Sequence, residues 1–190
     1  MDLHPQVISS SERFEGRVFR LRTDEVRFDD GTVATLDIIE HPGSYGIIAT
    51  PSPDSLVLVR QYRHAVARDL WEIPAGTAES NESVLDGAAR ELAEETGYRA
   101  AALRQLGSVF MTPGFCDEIM HFVHASDLAP GEQSLDEDER IEVGTFTLQE
   151  AERLIEQGQI ADAKTFLALL WMRTKRGELV PRGADNCGTG

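Results

Sequence analysis

Cysteine is nearly missing from this chain of 190 residues: there are two, Cys116 and Cys187, far apart in sequence. Two such thiols make neither a disulfide framework nor a thiolate metal cage. Positive charge is also scarce. Lysine and arginine total 18 against 33 acidic residues, a formal charge of −15, which argues against a nucleic-acid backbone or an anionic membrane surface as partner. No apolar run approaches the roughly 18 residues of a membrane span. The opening stretch MDLHPQVISSSERFEGR lacks the apolar core of a signal peptide, so a cytoplasmic location is expected. The length suits one domain with a sizeable core, since about 150 residues per domain is usual. No internal repeat is present.

Apolar-rich runs alternate with turn residues along the chain. Val18 to Phe28 and Thr32 to Ile39 are split by Asp29-Asp30-Gly31, and the Asp-Gly pair predicts a hairpin of antiparallel strands. Further strands are predicted at Tyr45 to Thr50, Leu56 to Gln61, Ala102 to Phe110 and Ile119 to His124, with Pro51 and Pro53 marking a loop. Ser83 suits a helix N-cap and Gly97 a helix stop. Leu148 to Gln157 and Ala161 to Arg173 have helical periodicity. Strands interspersed with a few helices indicate a mixed α/β or α+β sandwich. The tail at 176–190 is rich in Gly and polar residues and is expected to be disordered.

The chemistry is concentrated in GTAESNESVLDGAARELAEETGY at 76–98. At about 100° per residue, Glu91, Glu94 and Glu95 share one arc of the helix, and Leu85, Ala88, Ala89 and Leu92 cluster on another. Like charges at i,i+4 cost a helix a few tenths of a kcal/mol per pair, and Arg90 is the local cation. A divalent cation would remove that repulsion. A ligand set of oxygens, without His or Cys, favours Mg²⁺, Mn²⁺ or Ca²⁺ over zinc. Taken alone, three Glu residues also fit a solvated acidic face.

Gly76, Glu82, Arg90, Glu91, Leu92, Glu94, Glu95, Gly97 and Tyr98 match the Nudix box G-x5-E-x7-R-E-U-x-E-E-x-G-U, where U is bulky and apolar. Tyr98 departs from the usual aliphatic residue. The chain therefore resembles the Nudix hydrolases, which cleave a nucleoside diphosphate linked to another group. That resemblance implies an α/β/α sandwich with a mixed sheet, preceded here by an N-terminal antiparallel strand pair. It implies three regions: dimerising strands at 1–44, the hydrolase domain at 45–175, and the tail. It also implies Mg²⁺, with Mn²⁺ as a possible substitute, held by Glu91, Glu95 and the Ala75 carbonyl. Glu94 would assist nearby, while Arg90 and Glu82 would brace the loop and helix. A cation of this kind neutralises phosphate oxygens and makes hydroxide available near neutral pH.

LVLVRQYRHAVARDLWEIPAG before the box, Pro113 fifteen residues after it, and TPGFCDE at 112–118 are similar to the ADP-ribose pyrophosphatases within that family. The subfamily resemblance implies cleavage of ADP-ribose to AMP and ribose 5-phosphate. Related nucleoside diphosphate sugars, such as GDP-mannose or ADP-glucose, are the alternative substrates, and a non-hydrolysing ligand sensor is the alternative outside enzymology. By analogy Arg63 would contact the pyrophosphate, and Glu72 would either recognise the ribose or adenine edge or pair with Arg63 or Arg68. Pro113 and Glu118 would line the substrate site. Trp71 and Tyr62 could stack on a base or belong to the core. The acidic stretch LDEDERIEV at 135–143 resembles the subfamily's mobile acidic loop; aligned on Ile141-Glu142-Val143, it puts Glu137 at the base position and Glu139 at a metal-ligand position. Subfamily members are homodimers with exchanged N-terminal strands, so a homodimer is expected. His121 and His124 should face opposite sides of one strand, which speaks against a shared zinc site. Cys116 has no evident activating partner.

Overall fold

The structure, a computed structural model, describes residues 4–135, 137 and 139–174. The tail expected at 176–190 lies outside the described residues. The chain forms two compact units: residues up to Gly43 together with Phe110–Met120, and Ser44–Val109 together with the chain from His121 onward.

In the first unit, β1 (Gln6–Glu15), β2 (Arg20–Arg27) and β3 (Val33–Glu40) make one antiparallel sheet in that order. The Asp-Gly turn forms as its sequence predicts. Gly31 takes φ 86°, its N–H donates to Phe28 O at 2.9 Å, and Thr32 N donates to the Asp30 carboxylate at 2.8 Å. The expected strand pair is thus two strands of a three-stranded sheet. β1, with sequence QVISSSERFE, has no apolar alternation and is exposed along its length, so nothing in its pattern announces a strand. Pairing with β2 orders it, helped by the Ser10 hydroxyl, which donates to the buried Asp24 carboxylate at 2.7 Å. On the 110–120 excursion, Ile39 N donates to Phe115 O and Asp117 N donates to Ile39 O, which ties this loop to β3.

The second unit holds β4 (Ser44–Ala49), β5 (Ser55–Arg63), β6 (Arg68–Glu72), β7 (Ala75–Thr77), β10 (Ile141–Thr147) and all but the end residues at 110 and 119–120 of β8 (Tyr98–Phe110) and β9 (Ile119–Pro130). It also holds α1 (Val84–Thr96), α2 (Leu148–Glu156) and α3 (Ala163–Thr174). The strands form a sheet β7-β4-β9-β8 and a sheet β10-β5-β6. Every residue of β4 is buried, the signature of a central strand covered on both faces. On one face Tyr45, Ile47 and Ala49 pack with Val57, Val123 and Ala125 against Ala88 and Leu92 of α1. Of the apolar stripe predicted for this helix, Ala88 and Leu92 meet the core, while Leu85 at its N-terminal end is exposed. Short β6 and β7 escape prediction because each is bounded by loop residues and carries few apolar positions. β10 is placed by its antiparallel register with β5, from Ile141 opposite Gln61 to Thr147 opposite Ser55. Among the described residues, no helix is long and apolar enough to cross a membrane.

Candidate active site

α1 is defined at both ends by its own sequence. The Ser83 hydroxyl caps the N-terminus by accepting from Asp86 N at 3.2 Å, and Gly97 ends the helix at φ 74°. The loop that feeds it begins at β7, where Gly76 lies opposite Tyr45. A Cβ on Gly76 would stand 1.8 Å from the Glu91 carboxyl carbon. With the Glu91 side chain held where it is, glycine at 76 leaves the room that this carboxylate occupies.

Arg90 collects the charge of the loop and helix. Its Nη2 donates to Glu82 at 2.9 Å and its Nε to the same carboxylate at 3.2 Å. Its Nη1 donates to Glu91 at 2.9 Å and to Glu94 at 3.0 Å. Glu82 also accepts from Glu79 N at 2.9 Å and is held below the usual glutamate range, chiefly by Arg90. These contacts fit the expected bracing role of Arg90 and Glu82.

Glu95 is the exception on this face. It is 4% exposed, and its pKa is pushed up to about 8 by burial; the Ala75 N–H opposes that rise, while Glu91 and Glu139 add to it. Ala75 N donates to its carboxylate at 3.0 Å. Glu91 is likewise raised, first by burial, with Arg90 opposing and Glu94 and Glu139 adding. Glu139 of the acidic loop is thus electrostatically felt by both. Desolvated carboxylates that repel one another beside a backbone loop are an oxygen donor set fit for a hard divalent cation. Among the described residues no three acidic, His or Cys side chains are already gathered as a finished metal cluster. Arg90 draws Glu82, Glu91 and Glu94 toward itself instead.

A second cluster lies at the end of β6. Glu72 is 2% exposed and accepts from Arg63 Nη2 at 2.6 Å and Nε at 3.1 Å, and from Lys164 Nζ at 2.7 Å. Of the two readings for Glu72, pairing with Arg63 is what the structure displays, and Lys164 rather than Arg68 is the further partner. Lys164 also reaches Asp162 at 3.0 Å, and Asp162 accepts from Thr165 N at 3.0 Å at the start of α3. Ile73 N donates to the Thr165 hydroxyl at 2.9 Å, so α3 is docked on the β6 end by its first turn. Arg63 is influenced electrostatically by Glu95 and Asp162 as well as by its partner Glu72. Lys164 escapes the sequence reading because its partner is 92 residues away. Its scarcity was the available signal: Lys164 and Lys175 are the two lysines of the chain.

The other candidates are dispersed. Trp71 is buried edge-on against Phe146, with ring centroids 4.8 Å apart, and belongs to the core, whereas Tyr62 is exposed. Glu137 is exposed, and its carbonyl and that of Glu139 accept from Arg140. Pro113, Cys116 and Glu118 belong to the first unit, on the 110–120 loop. His121 bonds Ser108 at 2.7 Å and His124 bonds Thr50 at 2.8 Å, each within its own set of neighbours.

Comparison with known proteins adds independent findings. A family model described as NUDIX domain matches residues 40–169. The chain is 36% identical over 175 residues to an ADP-ribose pyrophosphatase of Bacillus subtilis (strain 168), covering 91% of this chain and 95% of that protein. It is 37% identical over 170 residues to a methanol dehydrogenase activator of Bacillus methanolicus, covering 88% and 92%. A crystal structure of an ADP compounds hydrolase superposes with a TM-score of 0.80 at 25% identity, covering 90% of this chain and 93% of that one.

The Glu72 cluster predicts a pH dependence. Burial raises Glu72, but Arg63 and Lys164 outweigh it and hold the folded pKa below the ordinary value. Its contribution to stability is therefore complete above the unfolded pKa of about 4.3 and is lost as pH falls through the lower folded value. In Lys164→Met the folded pKa should rise toward the ordinary value, moving the acid unfolding midpoint to higher pH. Circular dichroism against pH reads this directly. An unchanged midpoint would show that Lys164 does not hold Glu72 ionised.

Proposed function

The chain belongs to the Nudix family and is a hydrolase, and from that premise we propose that it hydrolyses the pyrophosphate of ADP-ribose to AMP and ribose 5-phosphate. The observation that carries the reaction type is the pair of desolvated, mutually repelling carboxylates Glu91 and Glu95 on α1, with Glu95 accepting from the Ala75 N–H. The choice of ADP-ribose is supported by relatives named for that substrate and for ADP compounds. Nudix hydrolases need a divalent metal; Mg²⁺ is the proposed ion here, with Mn²⁺ as substitute, because the donors are hard oxygens.

Such a cation supplies positive charge against phosphate oxygens and acidifies water. Glu91, Glu95, the Ala75 carbonyl and Glu139 would hold it. Glu137, exposed on the loop, would take the proton from the attacking water, and Glu94 would assist at the helix face. Arg63 would orient the pyrophosphate. Its Nε and Nη2 are turned to Glu72, which leaves Nη1 as the edge for phosphate oxygens. Glu72 then contributes to binding through Arg63. Pro113 and Glu118 are carried as substrate-site residues on the subfamily resemblance. A homodimer is supported by the first unit, whose sheet exposes Val7, Phe14, Val33 and Leu36.

With Mg²⁺ and a panel of ADP-ribose, GDP-mannose, ADP-glucose and NADH, ADP-ribose should be the best substrate, and Glu95→Gln should lower its turnover by about 100-fold or more with the circular dichroism spectrum unchanged. Cleavage confined to a substrate without adenine would overturn the ADP-ribose assignment, and near-normal turnover in the variant would overturn the ligand assignment. Across a Mg²⁺ titration, Glu139→Gln should recover activity partly at high metal and Glu137→Gln should not. If neither variant slows turnover, the acidic loop has no part in the chemistry. A light-scattering mass should be twice that of one chain, 21.0 kDa; a monomer mass would refute the dimer.

A further inference from the structure

Gly87 occupies the interior of α1, where glycine is disfavoured, and its φ is not positive. Its backbone has no need of glycine. Space does. A Cβ at position 87 would lie 2.2 Å from Cε2 and 2.6 Å from Cζ of Tyr45, and 2.8 Å from Oε1 of Glu82. The phenol ring and the Glu82 carboxylate therefore meet in the opening that the missing side chain leaves. Tyr45 is 3% exposed, and a buried phenolic hydroxyl requires a partner; the Glu82 carboxylate beside the ring is the group placed to serve.

Tyr45 touches both ends of the loop that connects β7 to α1. Its backbone lies opposite Gly76, where the loop begins, and its hydroxyl reaches Glu82, where the loop meets the helix. Glu82 in turn holds the Nε and Nη2 edge of Arg90. The remaining nitrogen of that guanidinium, Nη1, sits on Glu91 and Glu94. Any cation taken up by Glu91 must compete with Nη1. The more firmly Glu82 fixes the far edge of Arg90, the less Nη1 can follow a carboxylate that turns to a cation.

We propose that Tyr45 is a positioning residue for the cation-binding carboxylates: by bracing Glu82 it anchors Arg90 and limits its competition for Glu91, and Gly87 is the opening that admits its ring. The inference rests on the divalent-cation site proposed above. It names two residues outside the fixed positions of the box, and it makes them a pair, since the aromatic ring requires the glycine and the glycine has no other evident use.

The test is Mn²⁺ binding to the protein without substrate, read by electron paramagnetic resonance, with the Mg²⁺ half-saturation of hydrolysis as a second readout. Tyr45→Phe keeps the ring and removes the hydroxyl. Its Mn²⁺ dissociation constant should rise about 10-fold, the scale of groups that orient metal ligands, and the Mg²⁺ half-saturation should rise by more than kcat falls. Gly87→Ala should weaken Mn²⁺ binding in the wild-type background and have no further effect in Tyr45→Ala, because the ring it displaces is already gone. Melting curves verify that each variant is folded. Unchanged Mn²⁺ affinity in Tyr45→Phe, with the wild-type protein binding Mn²⁺, would overturn the positioning role alone. Failure of the wild-type protein to bind Mn²⁺ would overturn the cation site and this inference together.

Discussion

Repulsion among carboxylates on one face of α1 is the constraint to which the surrounding structure answers. Isolated, such a face costs a helix a few tenths of a kcal/mol per i,i+4 pair. Here the cost is larger, because Glu95 is buried and Glu91 nearly so, and a low-dielectric setting strengthens every repulsion. One guanidinium offsets it. Arg90 bonds Glu82, Glu91 and Glu94 at once, and its own pKa is driven upward by those partners, chiefly Glu82, against the cost of burial. Glu95 lies beyond this reach and has the Ala75 N–H in its place. The helix is thus held in a state where one carboxylate is under-compensated. That is the condition under which a cation gains most by arriving.

The end of β6 solves the same problem in the opposite way. Glu72 is as buried as Glu95, yet its pKa is lowered, because Arg63 and Lys164 outweigh desolvation. Two cations, Arg63 and Lys164, bond Glu72, and Lys164 also bonds one oxygen of Asp162, whose other oxygen is buried without a hydrogen bond among the described residues. Arg63 joins the two regions, since it is bound to Glu72 and is felt by Glu95. A fixed positive edge therefore stands next to an unsatisfied negative one. A pyrophosphate bridged to a cation has matching polarity.

The legible parts of this protein are those whose causes are near in sequence. The cap at Ser83, the stop at Gly97 and the turn at Gly31 each depend on a residue and its immediate neighbours, and all stand where the sequence places them. The carboxylate face of α1 follows from helical spacing alone. The strand β1 was not legible, because its order comes from pairing with β2 and not from its own pattern. The short strands β6 and β7 were missed for the same reason. Tyr45 reads in the sequence as one more apolar strand residue; its hydroxyl partner, contributed by a loop far along the chain, is what separates it from Ile47 and Ala49 on the same face.

Range of interaction also divides the labour of the site. The loop and helix from Gly76 to Gly97 carry their own brace, their own cation and their own cap within a contiguous segment. It can be recognised as a pattern for that reason. The Glu72–Lys164 contact spans 92 residues and depends on α3 docking through Thr165 on Ile73. Changes anywhere in the intervening chain can move that contact by fractions of an ångström without touching the box. The position of Arg63 is therefore set by long-range contacts, while the segment at 76–97 is held by local ones.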